Sequence, residues 1–358
     1  MRPLKALINL EHARSNFNQV RILCPKSKII ATLKANAYGH GLDFMANAFS
    51  EADAFSVLCI EEAIELREHG YEGRILLLEG VYDYEELRIA SAFNFDIVVH
   101  NDYQLSLLRQ LSNQKKINIH LKINTGMNRL GFDIDVIPKV LLQIKENKKI
   151  NQIILMTHFA NADNKKGIKK EIDTIKKLMQ NYKHEFSVAN SAAIINYPET
   201  HLEWVRPGIM LYGATPFHDK TAKELGLKPV MSLVSEIIAT RIIKKGDAVG
   251  YGSSFVAENE MQIGVVACGY ADGFPRIAPS GTPIIVENQL TKTIGRVSMD
   301  MLCVDLSNVS NVSIGSKVEL WGDNLSVDEV AQHAQTVGYE LLCAVSSSIR
   351  VPLSISYG

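Results

Sequence analysis

A lysine directly after an apolar run is the first residue in this sequence with an evident chemical use. Residues 29–33 are Ile-Ile-Ala-Thr-Leu, Lys34 ends the run, and residues 36–41 bring asparagine, tyrosine, histidine and glycine. This order predicts a buried strand that delivers one amine to a flexible polar loop. A lysine in that position is most often a solvated surface group. The alternative is a desolvated amine that serves as a base or forms a Schiff base.

Further candidate residues lie at the ends of the apolar runs. They are Tyr38 after the first run, Lys122 and Arg129 at the fifth, His158 at the sixth, Asn190 and Ser191 at the seventh, and Arg206 with the backbone of Gly208 and Ile209 at the eighth. Taken alone, each has an ordinary explanation, such as a buried histidine, a surface arginine, a helix cap or a paired lysine. Their recurrence at the same end of successive strands favours one shared site.

The residue types in this set indicate a phosphorylated cofactor. Ser191 begins a predicted helix, and the backbone N–H groups of Gly208 and Ile209 are suitable phosphate donors. The sequence has no metal-binding motif, and no Gly-x-Gly-x-x-Gly follows the first run. A lysine beside a phosphate site, without those motifs, points to pyridoxal 5'-phosphate and to no metal.

Apolar runs and helical patterns alternate through the first part of the chain. The runs cover 28–33, 54–58, 74–78, 96–99, 117–123, 151–157, 185–189 and 203–211. Helical patterns lie between them, most clearly at 168–179, where isoleucines fall on one face and lysines on the other. This alternation predicts a (β/α)8 TIM barrel. A doubly wound open sheet is the alternative, but it would usually have fewer strands.

The pattern changes after residues 212–229, which contain glycines and prolines and look like a domain junction. Strand-like segments follow at 230–243, 261–268, 282–286, 292–297, 301–305 and 317–321, and the pattern predicts one helix at 326–335. We therefore expect a barrel over 1–225 and a C-terminal mainly β domain over 226–358. The strand-like residues 1–9 are expected to pair with the second domain.

Composition limits the class of protein. A net charge of −1 gives no electrostatic sign of nucleic-acid binding. The N-terminus lacks the features of a signal peptide, and no apolar run reaches the roughly 18 residues that a membrane span needs. The five cysteines are scattered without a Cys-x-x-Cys pair, which favours reduced thiols and a cytoplasmic location.

Short motifs along nearly the whole chain resemble those of bacterial alanine racemases, which are pyridoxal-phosphate enzymes of fold type III. They are Lys-Ala-Asn-Ala-Tyr-Gly-His-Gly at 34–41, Asn-Thr-Gly-Met-Asn-Arg-Leu-Gly at 124–131, Thr-His-Phe-Ala at 157–160, Ala-Asn-Ser-Ala at 189–192, Arg-Pro-Gly-Ile at 206–209, Gly-Tyr-Gly at 250–252, Gly-Tyr-Ala-Asp-Gly at 269–273 and Ser-Met-Asp at 298–300. Any one of them would be weak, but their shared order and spacing make the resemblance specific.

The resemblance implies a role for each candidate residue. Lys34 carries the cofactor and is one catalytic base, and Tyr251 of the partner subunit is the other. Arg206 hydrogen-bonds the pyridine nitrogen, and His158 links Tyr251 to Arg206. The other implied roles are cofactor binding for Tyr38, Asn190, Ser191, Gly208 and Ile209, contact with cofactor and substrate carboxylate for Arg129, substrate contact for Met299 and Asp300, a place in the substrate entrance corridor for Tyr270, and carbamylation for Lys122.

The implied reaction interconverts L-alanine and D-alanine by two-base α-proton transfer through an aldimine of pyridoxal phosphate. The implied assembly is a homodimer with shared active sites, and the implied role is supply of D-alanine for peptidoglycan.

A broad-specificity amino-acid racemase and a related decarboxylase remain alternatives. Such decarboxylases usually carry a nucleophilic cysteine in the second domain, where this chain has Cys268 and Cys303. A non-catalytic cofactor carrier is disfavoured because the second domain and Tyr251 are present.

One position departs from the family pattern. Many members have a tyrosine before an Arg-Val-Pro near the C-terminus, and its hydroxyl contacts the cofactor phosphate. This chain has Ile349 before Arg350-Val351-Pro352. One phosphate contact is therefore left open, with Ser347 and Ser348 as nearby hydroxyls.

Overall fold

A closed barrel of eight parallel strands forms the first part of the fold. The computed structural model describes residues 2–111, 115–346 and 350–356. After a first strand β1 (Lys5–Asn9), the barrel strands are β2 (Lys28–Thr32), β3 (Ala54–Val57), β4 (Arg74–Leu77), β5 (Asp96–Val99), β6 (Ile117–Lys122), β7 (Ile150–Met156), β8 (Glu185–Ala189) and β9 (Trp204–Val205). Strands β9 and β2 pair in parallel and close the barrel. The predicted barrel is confirmed.

Helices pack between and outside the strands. They are α1 (Leu10–Leu23), α2 (Lys34–Tyr38), α3 (Leu42–Ala48), α4 (Ile60–Glu68), α5 (Tyr84–Ala92), α6 (Asp102–Leu108), α7 (Ile137–Lys145), α8 (Lys169–Asn181) and α9 (Ser191–Asn196). Helix α8 buries Ile172, Ile175 and Leu178, the apolar stripe that its sequence predicts. Within the ranges described, no helix has both the length and the apolarity needed to cross a bilayer.

The barrel interior is filled at its middle and at its amino end. Apolar side chains from several strands meet there, namely Ile30, Ala54, Leu76, Val98, Ile154, Met156 and Trp204. At the start of the strands, Arg74 donates to Asp96 over 2.5 and 2.9 Å, and its guanidinium lies over the Trp204 ring. The barrel interior is therefore closed towards its amino end, and the carboxyl ends of the strands are where this architecture usually binds a ligand.

The second part of the fold is mainly β, as predicted. Its strands are β10 (Met231–Ile243), β11 (Ala248–Val249), β12 (Phe255–Val256), β13 (Met261–Val266), β14 (Pro283–Val286), β15 (Gln289–Ile294), β16 (Leu302–Asp305), β17 (Lys317–Trp321) and β18 (Leu353–Ser356). The long strand β10 pairs with β1, β13 and β17, and so connects the two parts of the sheet. Strand β1 also pairs with β18, and the chain's N-terminal segment thereby lies in the second sheet.

Two helices accompany this sheet, α10 (Val327–His333) and α11 (Gly338–Ser346). The first corresponds to the helix predicted at 326–335, and Ser326 caps it by accepting from the backbone N–H of Asp328. The second was not predicted. It begins on a glycine and has no polar cap in its sequence, so the usual start signal is missing.

Candidate active site

Lys34 opens a left-handed turn that follows strand β2. Residues 35–38 all have φ between 50° and 56°. Side chains with a Cβ avoid this region, at a cost of roughly 1–2 kcal/mol per residue. The sequence predicted a flexible polar loop here. The structure instead has a compact turn, closed by bonds such as that from Ala37 N to Leu33 O (2.7 Å), which brings Lys34 and Tyr38 to the wall of one cavity.

A cavity of about 960 Å³ opens at the carboxyl ends of the barrel strands. Every barrel residue that the sequence singled out lines it: Lys34, Tyr38, Lys122, Arg129, His158, Asn190, Ser191, Arg206, Gly208 and Ile209. Its far wall comes from helices α10 and α11, which contribute Asp328, Gly338 and Tyr339. The cavity is at the upper end of the size range of small-molecule sites.

Lysines and arginines give the centre of the cavity a positive field. Lys122 is 7 % exposed, and burial together with Arg206 and Arg129 lowers the pKa of its amine to about 8. Deprotonation of Lys122 therefore becomes accessible slightly above neutral pH. An anionic ligand would relieve the repulsion among these cations.

A small polar cradle lies where the loop after β9 meets helix α9. The Ser191 hydroxyl accepts from the backbone N–H groups of Gly208 (2.9 Å) and Met210 (3.5 Å). A Cβ at Gly208 would lie 2.8 Å from the Tyr38 hydroxyl, so any larger residue would displace that hydroxyl. Glycine thus lets a backbone N–H, a serine hydroxyl and a tyrosine hydroxyl converge, which suits a phosphate. Asn190 caps α9 by accepting from Ala193 N.

Arg206 is 5 % exposed and rigidly held. Its Nη1 donates to the carbonyl and hydroxyl oxygens of Ser187 (2.5 and 2.8 Å), and its Nη2 donates to the Thr157 carbonyl (2.6 Å). Burial lowers the pKa of the guanidinium to about 10, so it stays charged at neutral pH. Within the described residues, none of these hydrogen bonds uses its Nε.

The His158 ring is neutral at neutral pH. Burial, followed by the charges of Arg206 and Lys122, lowers its pKa to about 3. Its Nε2 lies 3.5 Å from the Asn190 amide nitrogen. No hydrogen bond joins His158 to Arg206 in the part of the chain that is described, so the expected link through His158 stays a prediction.

The second-domain candidates lie elsewhere on the same chain. Tyr251 is 72 % exposed between two glycines of positive φ, and it does not line the cavity. Tyr270, Met299 and Asp300 are also exposed and also lie outside it. A single chain therefore brings the barrel candidates together but leaves these four residues apart from them.

The loops that carry those exposed residues are fastened to each other. Tyr270 N donates to the Ser298 carbonyl (3.0 Å), and a Cβ at Gly269 would lie 2.3 Å from the Met299 carbonyl oxygen. The position of Tyr270 is therefore tied to that of Met299. A change that frees one loop would displace both.

Asp272 anchors these loops and was missed from the sequence. Its side chain is fully buried, accepts a bidentate pair from Arg2 (2.6 and 2.7 Å) and lies 3.3 Å from Arg350 Nε. It also accepts from the backbone N–H of Gly269 (2.9 Å). Arg350 in turn contacts Asp300 (2.7 Å). The two chain ends thus hold the loops of Tyr270 and Asp300 through one carboxylate.

Replacing Asp272 with asparagine is expected to lower the free energy of unfolding by about 3 kcal/mol, since a buried carboxylate loses its charge while two arginines keep theirs. Urea unfolding measures this change. Asp300→Asn is the control, because its half-exposed carboxylate shares Arg350 and should contribute no more than about 1 kcal/mol. Equal stability of Asp272→Asn and the unaltered chain would contradict the anchoring role.

The C-terminal departure from the family pattern lies beyond what the structure describes. Ile349, Ser347 and Ser348 fall outside the described residues. The open phosphate contact therefore stays a prediction for these positions.

Comparisons with known proteins agree along the whole chain. Residues 8–216 match the family model for the alanine racemase N-terminal domain, and residues 230–353 match that for the C-terminal domain. The alanine racemase of Burkholderia mallei is 46 % identical over 353 residues, covering 98 % of this chain and 99 % of the relative. A catabolic alanine racemase of Klebsiella aerogenes is 45 % identical over 353 residues, with the same coverage.

Solved structures agree as closely. The biosynthetic alanine racemase of Pseudomonas aeruginosa superposes with a TM-score of 0.97 at 42 % identity, with both chains fully covered. The alanine racemase of Acinetobacter baumannii gives a TM-score of 0.93 at 38 % identity, covering 99 % of this chain and 100 % of that one. Because both family models and full-length relatives match, the chain belongs to the alanine racemase family, whose members are isomerases.

Proposed function

We propose that this chain interconverts L-alanine and D-alanine with pyridoxal 5'-phosphate as cofactor, by two-base transfer of the α-proton. The observation that carries the proposal is the convergence of Lys34, Arg206 and the Ser191–Gly208 cradle on one cavity. An amine, a fixed cation and a phosphate cradle are the groups that this cofactor requires. Family membership supports the same conclusion.

The residues present fit the cofactor. The cradle of Ser191, Gly208 and Tyr38 would hold its phosphate, where a Cβ at position 208 would displace the Tyr38 hydroxyl. The unused Nε of Arg206 would donate to its ring nitrogen, and Arg129 would contact its phenolic oxygen. The bound cofactor supplies an electron sink for the negative charge that develops on the α-carbon when its proton leaves.

The chain's own groups would then position the substrate and move the proton. Arg129 binds the substrate carboxylate through its guanidinium, which fixes the direction of the α-hydrogen. The Lys34 amine removes or returns that proton on one face, and the Tyr251 hydroxyl does so on the other.

Because Arg206 stays charged, it opposes protonation of the cofactor's ring nitrogen. That weakens the electron sink and favours prompt return of the proton over side reactions.

The second base needs a second copy of the chain. Tyr251 is exposed and does not reach the cavity of its own barrel. We therefore propose a homodimer in which each barrel receives Tyr251, Met299 and Asp300 from the partner, with Tyr270 at the entrance. Under this proposal the chain divides into a cofactor-binding barrel at 1–225 and a β domain at 226–358, with the first strand paired into the latter.

Lys122 is proposed to carry a carbamate that orients Arg129. A neutral amine reacts with carbon dioxide to form the carbamate and release a proton, and the lowered pKa of Lys122 favours the neutral form. We expect ¹³C-bicarbonate to give a carbamate resonance in the NMR spectrum of the enzyme. Lys122→Arg should remove it, while Lys145→Arg, at an exposed lysine of α7, should not. A spectrum without the resonance at saturating bicarbonate would refute the modification.

The two cysteines named for the decarboxylase alternative are poor nucleophiles. The Cys268 thiol is fully buried, and burial raises its pKa. Burial also raises the pKa of Cys303. A thiol with a raised pKa is a poor nucleophile near neutral pH, since the thiolate is the reactive form. The racemase therefore remains the better-supported function.

Incubation of the holoenzyme with L-alanine in heavy water tests the proposed reaction. We expect deuterated D-alanine by chiral chromatography and mass spectrometry, and a panel of other amino acids then measures specificity. Release of carbon dioxide would support the decarboxylase instead. Retention of the α-hydrogen in all products and in recovered substrate would refute proton transfer altogether.

The cellular role is a further proposal. Relatives of this chain include both a biosynthetic and a catabolic alanine racemase. We propose that it supplies D-alanine for peptidoglycan in the cytoplasm, a reducing compartment that suits its free cysteines. Loss of the gene should then make growth depend on added D-alanine.

A further inference from the structure

We infer that His40 is a positioning residue that holds the left-handed turn of residues 35–38 and thereby aims Lys34 and Tyr38 into the cavity. This inference rests on the proposed role of Lys34 as the cofactor-binding amine. It concerns a histidine that takes no part in the proposed proton transfer and does not line the cavity.

The turn needs support from outside its own backbone. Four consecutive residues with a Cβ adopt the left-handed conformation, which each of them disfavours. Two side chains beyond His40 contribute. The Asn36 carbonyl Oδ1 accepts from Leu42 N (2.7 Å), and Glu62 Oε1 accepts from Asn36 N (3.2 Å). Both of these bonds hold the middle of the turn at Asn36, and neither reaches its Tyr38 end.

His40 supplies a side-chain bond at that end, in addition to the backbone bond from its own N–H to the Ala37 carbonyl (3.1 Å). Its Nδ1 lies 2.9 Å from the Tyr38 carbonyl and 3.1 Å from the Ala37 carbonyl. Since both partners are acceptors, Nδ1 must carry the proton. The side chain is 0 % exposed, and burial keeps the ring neutral by lowering its pKa to about 4. Within the described residues Nε2 has no partner, so polar contact to the ring runs through Nδ1 alone.

An aromatic contact fixes the ring that makes this bond. The Tyr212 ring lies 4.7 Å from His40 and 4.7 Å from Tyr38, centroid to centroid. The Tyr212 hydroxyl donates to the Thr32 carbonyl (2.6 Å), at the end of strand β2. Tyr212 therefore spans from the strand before Lys34 to the histidine after Tyr38. Lys34 therefore lies between Thr32 and His40, two residues that Tyr212 contacts at once.

The chemistry of the contact predicts which substitutes will work. Phenylalanine at position 40 would fill the space but leave the Tyr38 carbonyl buried without its donor. Asparagine would place an amide N–H near the position of Nδ1 and so restore the donor. His12→Phe is the matched control, because His12 Nδ1 also bonds a backbone carbonyl (Pro229, 2.7 Å) but neither residue lines the cavity.

The test measures cofactor affinity and covalent attachment, not activity alone. Pyridoxal phosphate is titrated into resolved enzyme, and borohydride reduction with peptide mass spectrometry quantifies attachment at Lys34. We expect His40→Phe to bind the cofactor roughly tenfold more weakly and to attach it more slowly, as loss of a buried hydrogen bond predicts. His40→Asn should restore most of both. His12→Phe should lower the melting temperature without changing either.

Several outcomes would overturn the inference. Unchanged cofactor affinity in His40→Phe, with only a lower melting temperature, would make His40 merely structural. Equal losses in His40→Asn and His40→Phe would exclude the donor role. If His40→Phe does not fold, His40→Leu replaces it, because it also removes the Nδ1 donor: weaker cofactor binding supports the inference, and unchanged binding overturns it. Failure of the unaltered enzyme to form a reducible bond at Lys34 would instead refute the proposed function.

Discussion

Replacing Lys34 with alanine is expected to abolish covalent attachment of pyridoxal phosphate and to lower racemase activity by at least about 10³-fold, because one residue supplies both the attachment point and a base. The yellow, borohydride-reducible adduct should disappear while the cavity and the phosphate cradle remain. Absorbance spectra and mass spectrometry after reduction measure the attachment. A chiral assay from each enantiomer measures the activity.

Lys28→Ala is a control from the same strand. Lys28 begins β2, whereas Lys34 follows its end, and the Lys28 amine lies at the surface beside Glu185 (3.3 Å) and over the Trp204 ring. Its removal should change stability slightly and activity little. An adduct that survives at another lysine in Lys34→Ala would refute the assignment of Lys34. Equal losses from the two substitutions would attribute the effect to the strand rather than to the amine.

The sequence predicted the barrel because its signal is local and repeated. Each barrel strand is a short apolar run, and the polar residue at its end needs no long-range information to be noticed. Once the runs are assigned to one barrel, residues as distant in sequence as Lys34 and Arg206 must lie at the same end of it. The barrel candidates are therefore predictable from the sequence alone.

The features that were missed depend on tertiary context. A left-handed turn at Ala35–Tyr38 contradicts local preference, since alanine and tyrosine favour negative φ. The buried charge of Asp272 depends on Arg2 and Arg350, which come from opposite ends of the chain. His40 likewise acquires a purpose only when Tyr212 packs against it. Sequence proximity offered no sign of any of these contacts.

Two inactive variants are expected to restore each other's activity when they share a dimer. Lys34→Ala destroys the barrel base and Tyr251→Phe destroys the base lent to the partner. In a mixed dimer one site carries both defects and the other carries neither. Since half of the dimers are mixed after random exchange, about one quarter of all sites should be intact, giving about one quarter of wild-type activity. Co-expression with two affinity tags and a chiral assay measures this directly.

The arrangement of the same two substitutions on one chain provides the converse experiment. When a Lys34→Ala, Tyr251→Phe double variant is mixed with the unaltered chain, both sites of a mixed dimer contain one defect. Shared sites therefore predict about one quarter of full activity, whereas self-contained sites predict about one half. Self-contained sites also predict no recovery in the first mixture. If Tyr251 serves its own barrel, the first mixture therefore has less activity than one quarter and the second has more. The exposed position of Tyr251 makes shared sites, and one quarter in both mixtures, the expected result.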